Sequence, residues 1–257
     1  MRKIVILPLL FLFLIVVSCK EPHIEHTWND GVITVFPSYL NDGQISYTCT
    51  FCGETKSESF IYLVGDIGPA GGYIFYDCDA DNDNGNADGL ISSVCQWRWM
   101  ESCPQPYVAP VYRFGYYSTS GNTNLTVGTY PDIGKGISNT KKLVDAMGES
   151  AYSTQSHNGT TSNYAAKLCD SKVITANGMI FDDWFLPSRY EMTRMYNVLR
   201  KTPNFSEYKS DIYNSTKYWT STESSSTNAI VRVFSDYSEN NDYERSEGAG
   251  VFPARAF

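Results

Sequence analysis

The first long hydrophobic run covers Ile4 to Val17 and is broken only by Pro8. It is shorter than the roughly 20 residues that span a bilayer. Arg2 and Lys3 precede it and Ser18-Cys19 follows, the order of an export signal in which a charged start, an apolar middle and a small residue lead to a cleavage point. Residues 20–28 are polar and aperiodic, a tether containing His23 and His26. The pattern then becomes β-like: GVITVFPS, QISYTCTF after the turn signal Asn41-Asp42-Gly43, and FIYLV predict a small three-stranded module over 29–64. The turn-rich stretch Gly65 to Gly72 places a boundary there and leaves 65–257 as one larger unit. In that unit YIFYD and WRWME read as strands, and 104–136 as long irregular loops. Helical periodicity appears around Asn139 to Met147 (closed by Gly148), Ser162 to Cys169, and Arg189 to Arg200. The last has the clearest signals. Ser188 and Glu191 form an S-x-x-E capping box, Met192, Met195, Tyr196 and Leu199 line one face, and Pro203 stops it. KYWTST, AIVRVFSD and VFPARAF close the chain as strands. The fold class read from this pattern is α+β, with a mixed antiparallel sheet, two to three helices and long loops.

Composition narrows the partners. The 257 residues include 19 Tyr, aromatics make up 14%, and the formal charge is −8 with no basic cluster after Lys3. An acidic, Tyr-rich surface suits a binding face and excludes nucleic acid as a partner. Seven cysteines are present. The run Val16-Val17-Ser18-Cys19 resembles the bacterial lipobox, which implies lipidation of Cys19, removal of 1–18 and a location outside the cytoplasm at the cell envelope. The other six cysteines, an even number in an exported chain, allow up to three disulfides in any of fifteen connectivities. Cys78 and Cys95 bracket one Asp-rich loop and are the simplest pair.

Four elements recur in order from residue 66 onward: GPAGGYIFYD with RWMES, then DDWFLPSRYEM, then YWTSTE, then AIVRVFS with the terminal VFPARAF. Together they resemble the Lcl C-terminal domain family of bacterial surface proteins. That resemblance implies a C-type-lectin-like fold related to the sulfatase-modifying-factor group, with its terminal strands paired, long loops on one side and affinity for host-surface glycans. The sulfatase-modifying enzymes use a cysteine pair in their C-terminal part. Nothing after Cys169 is cysteine, so that activity is not expected. The opening HTWNDGVITVF with YTCTFCGETKSE resembles a small repeat module of bacterial surface proteins, although this copy lacks a further cysteine near Pro37.

Candidate chemistry falls in four places. Trp184, Pro187, Glu191 and Trp219 are expected to define the fold, since motif aromatics are more often core than contact. Tyr116, Tyr117, Tyr130 and Glu223 are candidate ligand contacts because they lie in predicted loops. Asp77, Asp79, Asp81, Asp83 and Asp88 offer the oxygens that calcium requires, although the glycine and closing Glu of an EF-hand are missing. Cys49 and Cys52 with His26 offer zinc three ligands, and the missing fourth favours a disulfide or paired thiols. Enzyme readings are thinner: His157 sits in a polar loop, and Asp182-Asp183 is as ready to cap a turn as to serve a glycosidase. The functional expectation is a lipid-anchored, adhesin-like binding protein for an extracellular glycan or protein, with a structural envelope role as the alternative and a divergent enzyme after it.

Overall fold

In the computed structural model, the structure describes residues 25–38, 41–78, 97–115, 126–148, 163–203, 205, 217–235 and 238–257. The fold is α+β, with three helices and several mostly antiparallel sheets among the described residues. Residues 1–24, which hold the expected signal segment and Cys19, lie outside them.

The small unit is a three-stranded antiparallel sheet of β1 (Val32–Val35), β2 (Gly43–Thr48) and β3 (Thr55–Phe60) in the order β1-β2-β3. Its third strand is TKSESF, not FIYLV, because the turn around Cys49 to Glu54 returns the chain directly onto β2 and pairs Thr48 with Thr55. Both faces of this sheet are largely wet, so β3 shows no apolar alternation. The segment expected as a strand supplies instead the anchor to the larger unit. Tyr62 packs with Ile74 and Trp99, flanked by Phe36, Phe60 and Phe257, and the Trp99 indole N–H donates to the Tyr62 carbonyl at 3.0 Å.

The larger unit opens with β4 (Ile74–Asp77), β5 (Trp99–Ser102) and β6 (Tyr107–Tyr112), the last a strand where irregular loops were expected. Next come α1 (Gly136–Met147), α2 (Ala165–Asp170), the hairpin β7 (Ile174–Ala176) and β8 (Met179–Phe181), and α3 (Arg189–Leu199). The chain ends with β9 (Lys217–Glu223), β10 (Asn228–Val233), β11 (Glu239–Glu244), β12 (Ala249–Val251) and β13 (Ala254–Ala256). α1 begins three residues before its first clear periodic position. α3 has the expected capping box, with the Ser188 hydroxyl accepting from Glu191 N–H and the Glu191 carboxylate accepting from Ser188 N–H. Asn177 (φ 52) and Gly178 (φ 75) are both left-handed, the primed turn that suits a two-residue hairpin.

β11-β10-β9-β12-β6 form one sheet, with β9 and β12 parallel, and β13-β5-β4 form another. Neighbouring residues of a strand face opposite sides, and β9 uses this to build two cores. Tyr218 packs with Met192, Met195 and Leu199 of α3, while Trp219 packs with Leu143 of α1, Ala165 of α2, Leu186 and Val251. Trp184 and Trp219 are 3% and 0% exposed. The terminal VFPARAF leaves the large sheet after Val251, passes Pro253 and joins the small sheet beside β5. It therefore pairs in both sheets. Its partner in the small sheet is β5, which separates it from the opening strand β4.

Gly72 is the tightest backbone contact in this arrangement, since a Cβ there would sit 1.6 Å from the Ser102 carbonyl oxygen. Gly72→Ala is expected to destabilise the chain by about 4 kcal/mol or more, or to prevent its accumulation. Gly178→Ala, with open space around it but a positive φ, should cost only about 1–2 kcal/mol. Urea unfolding midpoints of the two variants check the contrast.

Candidate functional site

Among the described residues, a cleft of about 460 Å³ lies between α1, the end of α2 and the segment leading into the WFLPS motif. Ile137, Lys141, Val144 and Asp145 contribute from α1, and Asp170 from α2. Asp182, Asp183, Trp184, Phe185 and Ala256 complete it. Its floor is apolar and its rim is acidic. Lys141 pairs with Asp145 at 3.3 Å and Lys167 with Asp170 at 3.5 Å, while Asp182 makes no side-chain hydrogen bond or ion pair among the described residues. Carboxylates above an apolar floor accept hydrogen bonds from hydroxyl or ammonium groups while the floor covers a flat hydrocarbon face.

Buried polar groups hold the cleft walls. Thr140 of α1 donates to the Leu186 carbonyl and accepts from Leu186 N–H, pinning helix to motif at 3.3 and 2.9 Å. Trp184 turns its indole N–H inward to the Phe181 carbonyl at 3.0 Å. Phe185 exchanges two backbone hydrogen bonds with Ala254 at 2.7 and 2.9 Å, so β13 backs the cleft. Arg255 grips Asp183 with two donors at 2.7 and 2.9 Å and reaches Glu101 at 3.4 Å from the other side. Glu101 is fully buried and accepts from the amides of Ala70 and Gly72. Burial pushes its carboxyl up to about 7 against the opposing pull of the Gly72 amide and Arg255. Glu191 is also fully buried and also pushed to about 7 by burial, although the amides of Ser188, Gly136 and Gly134 pull the other way.

The loop expectations divide. Tyr130 is 54% exposed, with the Lys142 ammonium 4.9 Å from its ring centre. Its backbone is clamped by buried Asn139, which accepts from Tyr130 N–H at 2.9 Å and donates to its carbonyl at 2.7 Å. Tyr190, 45% exposed, donates its amide to Pro131 and adds a second ring nearby. Glu223 does not face a ligand. Its carboxylate is 2% exposed, accepts from the amides of Val127, Gly128 and Thr129, and pairs with fully buried Arg245 at 2.8 Å. It anchors the loop that carries Tyr130. Tyr116 and Tyr117 lie outside the described residues.

Of the acidic loop, Asp77 is described. Its carboxylate is 6% exposed and paired with Arg98 at 3.2 Å, which turns it away from a shared cation. Asp79, Asp81, Asp83 and Asp88 lie outside the described residues, as do Cys95 and His157. Cys78 is disulfide-bonded. Cys103 and Cys169 are buried free thiols, and burial pushes Cys103 up to about 11 and Cys169 well above its usual value.

Cys49 and Cys52 are not joined by a disulfide, so of the two expectations set against zinc the paired thiols are what the structure holds. Together with His26 they place three ligand atoms within 4.8 Å of one another. Burial pushes the Cys49 thiol up, but hydrogen bonds from the Cys52 and Phe51 amides, His26 and the Cys52 side chain outweigh it and bring the thiol down to about 5.

Three features escaped the pattern reading: the Arg255–Glu101–Asp183 network, the Arg245–Glu223 pair and the cleft itself. The first had a signal, since Arg255 and Glu101 are opposite charges set within otherwise apolar terminal and opening strands. No protein-family model matches the chain, and neither a curated protein nor a solved structure matches it.

The two raised carboxyls set a pH dependence. A group whose pKa rises from 4.5 to about 7 on folding binds its proton more tightly when folded, so its stabilisation is complete in acid and lost as pH rises through 7. The melting temperature is expected to fall between about pH 5 and about pH 7, less steeply than two carboxyls alone would give because the lowered Cys49 thiol works in the opposite direction, and Glu191→Gln should flatten that decline. Thermal melts across this range check it. An unchanged slope in the variant would contradict it.

Proposed function

We propose that this chain is a lipid-anchored protein of the bacterial cell envelope that binds an extracellular glycan or protein through a lectin-like C-terminal unit, without catalysing a reaction. The observation that carries the reading is the cleft: an apolar floor of Trp184, Phe185 and Val144 beneath an acidic rim, held on rigid elements. Tyr130 lies along the other flank of α1, clamped in backbone and open in ring. A pre-ordered aromatic on one flank offers stacking, and fixed acceptors at the cleft rim on the other offer hydrogen bonds, each at low entropic cost. The Lcl-like order of motifs and the lipobox-like start support the same reading. The acidic rim suits neutral or amine-bearing ligands over sulfated ones, which would be repelled.

The two adjacent acids, a conceivable glycosidase pair, serve unlike purposes here. Asp183 is held by Arg255, while Asp182 stands free at the rim for binding.

A structural envelope role draws on one different observation. β1 is an edge strand whose Val32, Ile33 and Val35 are exposed, a surface suited to pairing with another chain. Pull-down from envelope extracts with the full chain, compared with a Val35→Lys variant, separates this reading from ligand capture.

A glycan array probed with the full chain, with and without chelator, is expected to give binding to hydroxyl-rich neutral or amino sugars. Asp182→Asn should weaken that binding about tenfold and Tyr130→Ala by a factor of about 2 to 10, each with stability held within about 0.5 kcal/mol. Chelator sensitivity reversed by added calcium and not by zinc would bring in the acidic loop as a calcium site. Palmitate labelling lost in Cys19→Ser is the expected result for the anchor. No binding to any glycan or envelope component would overturn the proposal.

A further inference from the structure

We propose that His26, Cys49 and Cys52 form a zinc site, supplying three ligands of a tetrahedral set. The sequence alone weighs against zinc, because it offers three ligands where a closed structural site needs four. The geometry reverses the balance. The Cys52 sulfur lies 3.6 Å from His26 Nδ1, and two ligands of one tetrahedral zinc stand roughly 3.5–3.8 Å apart given zinc–sulfur and zinc–nitrogen bonds near 2.3 and 2.0 Å. The third ligand atom, from Cys49, falls within the same 4.8 Å group.

The surroundings are those of a held site. Cys49 accepts from the amides of Phe51 and Cys52, and Cys52 accepts from Glu54 N–H at 3.4 Å, so backbone dipoles point at both sulfurs. Gly53 makes the required turn with φ +73. Thr50 N–H donates to the Thr27 carbonyl, and Trp28 bridges to Cys49, which brings the His26 segment alongside the turn. His26 stacks on Trp28 with ring centres 5.0 Å apart. With Nδ1 toward the sulfurs, Nε2 meets the Glu54 carboxylate at 3.5 Å. That is the carboxylate–histidine–metal relay by which proteins orient a ligating imidazole and raise its basicity. Two thiolates and an imidazole select zinc over calcium or magnesium. Among the described residues no fourth His, Cys, Asp or Glu joins the group. His26 and Glu54 side chains are 30% and 64% exposed, which leaves an entry path.

Full-length protein, reduced and then loaded with zinc chloride or cobalt chloride, tests the site. The expected result is one metal per chain after gel filtration, and for cobalt a thiolate charge-transfer absorption with tetrahedral d–d bands. Cys52→Ser should abolish the charge-transfer signature. Glu54→Gln, which removes no ligand and leaves the sheet intact, should weaken affinity about 10- to 100-fold. Metal content unchanged in Cys52→Ser, or cobalt bound without charge transfer, would each overturn the proposal, as would failure of the reduced protein to take up either metal.

Discussion

The buried guanidinium of Arg255 is the constraint on which the larger unit depends. A cation placed in a core is tolerable only if it is paired and hydrogen-bonded, and Arg255 meets this by joining Glu101 of β5 to Asp183 at the cleft rim while lying 4.6 Å from the ring centres of Phe181 and Phe257. Glu101 in turn holds the amides of Ala70 and Gly72. One side chain on the last strand thus fixes the turn that opens the unit, the sheet that closes it and one wall of the cleft. Removing it would leave Glu101 buried without its cation, a penalty of several kcal/mol in comparable cores.

A second buried pair, Arg245 with Glu223, does the same for the opposite flank. Glu223 draws three consecutive amides, from Val127 to Thr129, onto the end of β9, and this is what presents Tyr130. The motif carboxylate that reads as a ligand contact is therefore a loop anchor, and in the proposed binding role the contact falls to the ring that it positions. The two networks place rigid polar and aromatic groups on either side of α1, a geometry suited to capture of a ligand by a surface that is already formed.

Local signals were legible and distant ones were not. α3 could be read from its sequence because its cap and its apolar stripe lie within 12 residues, from Ser188 to Leu199. β9, β10 and the terminal strands were legible because they are buried and apolar. β3 and β11, TKSESF and ENNDYE, carry no apolar alternation and owe their strand conformation to pairing with β2 and β10. The β7–β8 hairpin did carry a local signal, Asn177-Gly178, that the periodicity reading passed over. The cleft was invisible because its walls come from residues 137 to 256, and only the tertiary fold brings Asp145, Asp170 and Asp182 to one rim. The cysteine group stood between these cases. Its C-x-x-C and the candidacy of His26 were plain, but the place of Glu54 behind the imidazole was not.

Amide hydrogen exchange of the full chain with Arg255→Met, measured beside the unaltered protein, tests the claim on which the rest turns. The amides of Ala70, Gly72, Phe185 and Ala254 should lose protection together, while those of Val127 to Thr129, held by Glu223, keep theirs. Protection retained at Ala70 and Gly72, or lost evenly along the whole chain, would contradict the role given to Arg255.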